Sequence, residues 1–137
     1  MVTLGIDIGA SKVAAALVKG DGVLRQVKIA YLRKTAVEVD AAIFAAVGSA
    51  VGQSKIAGIG LGVPCALGKN NEILACANIP ALRPGELAEK LARIYRAPVI
   101  IENDVKAAAL AELKYGVGRE TKNFVFLAFG TGIGGAI

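Results

Sequence analysis

From residue 36 onward, segments with helical spacing alternate with short β-branched runs, and this alternation constrains the fold more than any other feature of the chain. Val39, Ile43, Val47 and Val51 recur every four residues with Phe44 beside them, which predicts a helix over about 36–52. "IAGIGLGVP" then reads as a buried strand ended by Pro64, and "NNEILAC" as a turn with a short strand. Leu87, Leu91 and Ile94 predict a second helix over about 85–96, followed by a strand in "APVIIEN". "DVKAAALAELKYG" predicts a third helix, with Gly116 where a C-terminal stop belongs, and "FVFLAFG" is the last clear strand.

The segment before this alternation is different. "VTLGIDIG" predicts a strand at about 2–8, closed by Gly9. Residues 13–18 are apolar, Gly20-Asp21-Gly22 is a turn, and another strand runs from about 23 to 32. The order is therefore β-β-β-α-β-α-β-α-β, an antiparallel meander followed by β-α-β units. It predicts an α/β domain with a mixed β-sheet and helices packed on it. At 137 residues the chain is one domain of ordinary size with room for a core, and no linker, repeat or low-complexity segment divides it.

Composition removes several function classes. Hydrophobic residues make up 55% of the chain and mean hydropathy is +0.57, so a membrane span has to be tested. The longest charge-free stretches, such as Ala41 to Ser54 and Phe124 to Ile137, fall short of the roughly 20 apolar residues a spanning helix needs. Asp7 interrupts the first apolar run with no basic segment before it, so no secretory signal is expected, and a cytoplasmic location is. There is no histidine, which excludes Ser-His-Asp and Cys-His catalysis within these residues and argues against zinc. Cys65 and Cys76 lack metal-ligand spacing and are expected to be buried free thiols. The net charge is +5, yet the sixteen Lys and Arg are scattered and only Arg33-Lys34 are adjacent. Without a basic stripe or interleaved aromatics, nucleic acid is not an expected partner. A small anion such as a nucleotide suits the mild positive balance better.

Three stretches carry chemistry. "GTGIGG" satisfies G-x-G-x-x-G through Gly130, Gly132 and Gly135, but a dinucleotide fingerprint needs a helix at the loop and an acid about 20 positions later, and neither is there. "DIGASK" places Asp7 at the end of the first strand, where such sheets present ligands. Gly9 lets backbone N–H groups approach phosphate oxygens, Ser11 offers a hydroxyl and Lys12 a cation. Asp7 could hold Mg²⁺ through water, or could simply cap a tight hairpin; these residues alone support either role equally. In "IIENDVKAAALAE", Asn103 and Asp104 stand where a strand gives way to a helix. Both are favoured helix-capping residues. A carboxylate there can also take the proton of a bound hydroxyl during phosphoryl transfer, while Asn103 orients that alcohol. Glu102 is expected to point to the other face as a structural residue.

Taken in order, these stretches resemble the ROK family of sugar kinases and sugar-responsive repressors, within the superfamily of actin and hexokinase. "GIDIGASKVAAALV" is similar to the first phosphate motif, usually D-I-G-G-T-K. "GIGLGVPCALGKNNEILACANIP" resembles the stretch with a G-V-P-G turn and an Asn before Leu-Pro. "IIENDVKAAALAE" is close to E-N-D-A-N-A-A-A-L-G-E, and "FLAFGTGIGGAI" resembles the second phosphate motif. The departures are Ala10 for the second glycine of the first motif, Cys65 for the glycine of the turn, and Lys106 for an Asn.

The resemblance implies a ribonuclease H-like, actin-like ATPase lobe with ATP and Mg²⁺ as cofactors and no zinc in this chain. By position, Asp104 is the implied general base. Asn103, Asn78 and the backbone of Pro64, Cys65 and Ala66 are the implied sugar contacts. Asp7 would organise Mg²⁺, with Gly9, Ala10, Ser11 and Lys12 near the phosphates and Gly130, Thr131 and Gly132 cradling the nucleotide from the far side. Family members continue into a second lobe carrying the adenosine pocket, further Glu and His ligands and a Cys/His zinc motif. Residues 1–122 are accordingly read as an N-terminal lobe and 123–137 as the first strand and phosphate loop of the second. One lobe is expected to be inactive alone, and its orphan strand to favour a homodimer or other self-association. The alternative is the sugar-binding sensor domain of a ROK repressor; the kinase is favoured because only Met1 to Leu4 precede the "GIDIG" strand and because Asp104 is present. An acyl-CoA dehydratase activator would share the "DIG" loop but leaves "ENDVKAAALAE" unexplained.

Overall fold

The computed structural model describes residues 1–32, 35–70, 72–130 and 132–137; the Arg33-Lys34 pair, Asn71 and Thr131 lie outside the described residues. Strands β1 (Val2–Ile8), β2 (Lys12–Lys19) and β3 (Gly22–Ala30) form the expected meander. They are followed by α1 (Ala36–Val51), β4 (Ile59–Val63), the short β5 (Ala66–Leu67) and β6 (Ile73–Ala75), and α2 (Pro84–Tyr95). Then come β7 (Val99–Asn103), α3 (Asp104–Tyr115), a 3-10 turn at Val117–Glu120, β8 (Phe126–Phe129) and β9 (Ile133–Ala136).

The main sheet has the order β3-β2-β1-β4-β7. β1 runs antiparallel to β2 and parallel to β4, and β4 is parallel to β7, so the sheet is mixed as the element order predicts. Two features were not foreseen. β5 and β6 form a separate two-stranded ribbon, and β9 returns antiparallel on β8. The strand read in "FVFLAFG" begins only at Phe126.

Side-chain size alternates along the central strands, and this decides which face is core. Leu4, Ile6 and Ile8 of β1, Val13, Ala15 and Leu17 of β2, and Ile59, Leu61 and Val63 of β4 are buried together. They join Val39, Ile43, Ala46, Val47 and Ala50 of α1, and Leu87 and Leu91 of α2. Burying each large aliphatic side chain is worth about 1.5–3 kcal/mol, so this face holds the sheet to the two helices. Ile94 does not join it: the side chain is 57% exposed, at the edge of the buried stripe of α2. The intervening strand positions, Gly5 and Asp7, Ala14 and Ala16, Gly60 and Gly62, point to the opposite face by the two-residue period of the strand. Small residues there leave a floor over which α3 and the β8–β9 hairpin lie.

Helix ends follow their local chemistry. Thr35 caps α1, its hydroxyl accepting the Glu38 N–H at 3.3 Å. Pro84 occupies the first turn of α2, where its missing N–H costs nothing. α3 buries only Ala109 among its residues, with Leu110 and Leu113 exposed. No helix among the described residues is long and apolar enough to cross a membrane.

Candidate active site

A cleft of about 720 Å³ opens between the small-residue face of the sheet and the α3/hairpin layer. Asp7, Lys12, Lys28, Glu102 and Asp104 supply its charge, and Phe126 and Ala128 of β8 line it as well. Asp7 and Asp104 therefore share one cavity although they come from opposite ends of the sequence.

Gly62 explains how they meet. It pairs with Asp7 on β1 and with Glu102 on β7. A Cβ at position 62 would stand 3.8 Å from the Asp104 Cα and 3.9 Å from the Asp7 Cα. The absent side chain leaves the space between the two acids open. Asp7 is exposed as a residue on the cleft floor, yet partial burial of its carboxyl, and after it the negative charge of Asp104, push that carboxyl above its ordinary value of 3.8, against smaller opposing effects of Lys12 and Lys28. With three carboxylates and two lysines lining it, the cleft is short of positive charge.

The turn from β1 to β2 is held from behind. The Gly9 N–H donates to the Lys12 carbonyl at 2.9 Å, and a Cβ on residue 9 would approach that same oxygen to 3.2 Å, which favours glycine. Tyr31, 6% exposed, donates its hydroxyl to the Gly9 carbonyl, and its backbone N–H donates to the Ser11 carbonyl at 2.9 Å. Burial raises the Tyr31 phenol above its ordinary 10.0, so it remains a neutral donor. Ser11 and Lys12 stay exposed on the outer side of the turn, and Ala10 is half-buried.

Asn103 ends β7 and caps α3. Its Oδ1 accepts the Lys106 N–H at 3.1 Å and its Nδ2 donates to the Cys65 carbonyl at 3.1 Å. Asp104 Oδ1 accepts the Val105 N–H at 2.9 Å, which sets a carboxylate in the first turn where the helix dipole favours it. Capping and a chemical role are thus compatible in both residues. Glu102 differs from expectation: it lines the same cleft as Asp7 and Asp104, and its Oε1 accepts the Asn103 N–H at 2.8 Å. Alternation separates it from Asn103, whereas Asp104, already on the helix, returns to its side.

The cysteines also require a correction. Cys65 and Cys76 are joined in a disulfide, with Cα atoms 4.2 Å apart, and are not free thiols. The β5–β6 register explains it, because pairing Ala66 with Ala75 brings the next residues outward, 65 and 76, face to face. Pro64, Cys65 and Ala66 thus sit at the base of this ribbon, and the exposed Asn78 comes just after Cys76. None of these four lines the large cleft; Asn103, through the Cys65 carbonyl, is their link to α3.

Gly130 and Gly132 form the β8–β9 turn, where the Gly130 N–H donates to the Gly132 carbonyl at 2.9 Å. They lie beyond the cleft lining, while Gly134 backs onto Val105 of α3. The turn leads into strand β9, not into the helix a dinucleotide fingerprint needs. Among the described residues, no group of three or more His, Cys, Asp or Glu is arranged to hold a metal ion. Mg²⁺ does not require one, since it keeps several waters and takes one or two carboxylates beside phosphate oxygens. The charge-deficient Asp7–Asp104 pair fits that donor set.

Sequence reasoning missed Tyr31, Gly62, Lys28 and the disulfide. Only Gly62 left a trace, as the second glycine in an alternating strand.

Comparison with known proteins places these features in one group. The model of the ROK family matches residues 3–137. The glucokinase of Streptomyces coelicolor is 34% identical over 137 residues, covering 99% of this chain and 43% of its own length. The N-acetylmannosamine kinase of Haemophilus influenzae is 33% identical over 144 residues, covering 100% of this chain and 46% of its own. Among solved structures, a ROK family glucokinase from Streptomyces griseus in complex with glucose and AMPPNP superposes with a TM-score of 0.85 at 32% identity, over 98% of this chain and 43% of that one. The chain thus spans less than half the length of these relatives, and its fold is that of the actin-like ATPases.

Proposed function

The chain belongs to the ROK family, and from that premise we propose that it forms the N-terminal lobe of a kinase moving a phosphoryl group from ATP to a hydroxyl of a hexose or amino sugar. The observation that carries this function is the shared cleft of Asp7 and Asp104, lined also by Lys12 after the β1–β2 turn and by Val105 in the first turn of α3. Related chains named for glucose and N-acetylmannosamine phosphorylation support the sugar class.

Asp104 is the general base. From the first turn of α3 its carboxylate receives the proton of the attacking hydroxyl, and its pairing with Asp7 across the cleft keeps that proton acceptor close to the phosphates. Asn103 orients the sugar: its Nδ2 carries two hydrogens, and the Cys65 carbonyl takes only one. Asn78 and the backbone of Pro64 to Ala66 complete the sugar side. Gly9, Ala10, Ser11 and Lys12 face the phosphates, with the turn held in shape by Tyr31. Asp7 is the residue that would hold Mg²⁺ through water, and the ion when bound supplies neutralising charge for the phosphate oxygens. Gly130 and Gly132 would contribute to the opposite wall of the nucleotide site; Thr131 between them lies outside the described residues.

Closure between two lobes excludes water and aligns reactants, so this lobe binds its ligands weakly and does not turn them over alone. The place of action is the cytoplasm, where ATP is available. Leu127, Phe129 and Ile133 are exposed by 56%, 75% and 78%, and their hairpin has open edges, which drives self-association of the isolated chain.

Amide spectra of the 137-residue chain test the assignment. Glucose should shift the signals of Ala66, Asn103 and Asp104, and ATP with Mg²⁺ those of Asp7 to Lys12. Silence of both sets at millimolar ligand would reject it. A coupled assay for ADP should register no turnover by this chain alone.

A further inference from the structure

We propose that the Cys65–Cys76 disulfide is a reversible thiol–disulfide exchange site whose reduction loosens the Asn103 end of α3 and with it the sugar contacts proposed above. The link to sugar rests on the function proposed above; the exchange site itself does not.

The bridge lies at the margin of the core, where it holds local structure. It closes the β5–β6 ribbon, whose strands have two and three residues and a single shifted register. A ribbon this small is not stable by itself. Its own apolar residues contribute little, since Ile73 is 37% and Leu74 is 64% exposed. The domain core is built mainly by α1, α2 and the main sheet; Cys65 is buried at its margin with Leu67 and Cys76 packed against it, and a core of this size needs no covalent staple. The geometry of the 64–66 loop thus depends on the bridge more than the fold does.

From the bridge a short chain of contacts leads to the chemistry. The Cys65 carbonyl accepts from Asn103 Nδ2, and Asn103 Oδ1 accepts from the Lys106 N–H, with Asp104 between them in sequence. Releasing Cys65 lets its carbonyl drift, which frees the Asn103 amide to rotate and weakens the cap of α3.

Access is one-sided. Cys65 is 1% exposed, whereas Cys76 is half-buried and lines a shallow pocket of about 400 Å³ with Pro80, Arg83 and Glu86. A thiolate of a dithiol reductant attacks the Cys76 sulfur, the S–S bond breaks, and Cys65 leaves as thiolate and takes a proton. The reductant's second thiol then displaces Cys76, which is protonated in turn. Two electrons and two protons reach the protein, and the reductant leaves as its own disulfide.

The test uses the 137-residue chain in buffers of dithiothreitol and its cyclic disulfide. Under native conditions the oxidised chain should present no reactive thiol and the reduced chain two. Reduction should shift the Asn103 side-chain amide and speed hydrogen exchange at Lys106, while core amides such as Leu61 stay unchanged. Free thiols after full oxidation, or an Asn103 signal indifferent to reductant, would overturn the proposal. Cys76→Ser should reproduce the reduced spectrum and ignore reductant; if it does not fold, the wild-type titration decides. Glucose affinity should fall about three- to tenfold on reduction, the equivalent of one lost hydrogen bond. Equal affinity in both states would reject the link to sugar. Should neither state bind glucose while the amide changes persist, the exchange site stands and the kinase assignment fails.

Discussion

Asp7 and Asp104 face one cleft with Gly62 between them, each Cα within 4 Å of where a Gly62 side chain would begin. Two acids placed this way repel each other, and the folded chain tolerates that repulsion at the point where phosphate and a cation are proposed to bind. Function and stability should therefore pull in opposite directions here.

The pH dependence is set by the raised Asp7 value. The folded state holds the Asp7 proton more tightly than the unfolded chain, whose carboxyl titrates near 3.8. Above that pH the native state carries the extra proton, so stability falls as pH rises through the folded-state value, and the ionised group is a net cost at neutrality. Asp7→Asn should accordingly raise the midpoint of thermal unfolding at pH 7, with the gain disappearing below the unfolded value. A less stable variant at pH 7 would contradict this.

Asp104→Asn removes the second cause of that shift and leaves the first, burial, in place. Carboxyl carbon titration by NMR should find Asp7 closer to, yet still above, its ordinary value. No movement would mean that the two charges do not sense each other.

A branched side chain at position 62 should separate the acids. The Cβ of Gly62→Val would lie 3.4 Å from the Ile6 carbonyl as well as beside both Asp backbones. Those distances are ordinary van der Waals contacts, so urea unfolding should report a change within about 0.5 kcal/mol, while the side chain fills the space between the carboxylates and weakens the effect of Asp104 on Asp7.

Asn103 has two separable tasks. Asn103→Ala should cost about 1 kcal/mol from the lost helix cap. Asn103→Ser keeps a capping oxygen but cannot reach the Cys65 carbonyl. Equilibrium unfolding should therefore find Ser the more stable of the two, while both variants lose protection of the 64–66 loop in hydrogen exchange.

Tyr31→Phe preserves a buried ring and removes only the donor to Gly9. The expected loss is about 0.5–1.5 kcal/mol, with faster exchange at the Gly9 amide and none at Leu61.

Local chemistry made much of this protein legible in its sequence. The four-residue recurrence in α1, the apolar β-branched runs of β1 and β4, and the Asn-Asp pair before an alanine-rich run each act within a few residues, so element order and the ends of α3 could be inferred without coordinates. Leu87, Leu91 and Ile94 define the helix more surely than they define which of its sides is covered, since Ile94 is exposed.

Tertiary structure decided the rest. That Asp7 lies beside Gly62, that Glu102 shares the cleft, that Tyr31 reaches back to Gly9 and that Cys65 meets Cys76 all depend on which strands become neighbours and in what register. Register is set by burying one whole face of the sheet at once, a cooperative choice that no short stretch of residues encodes by itself.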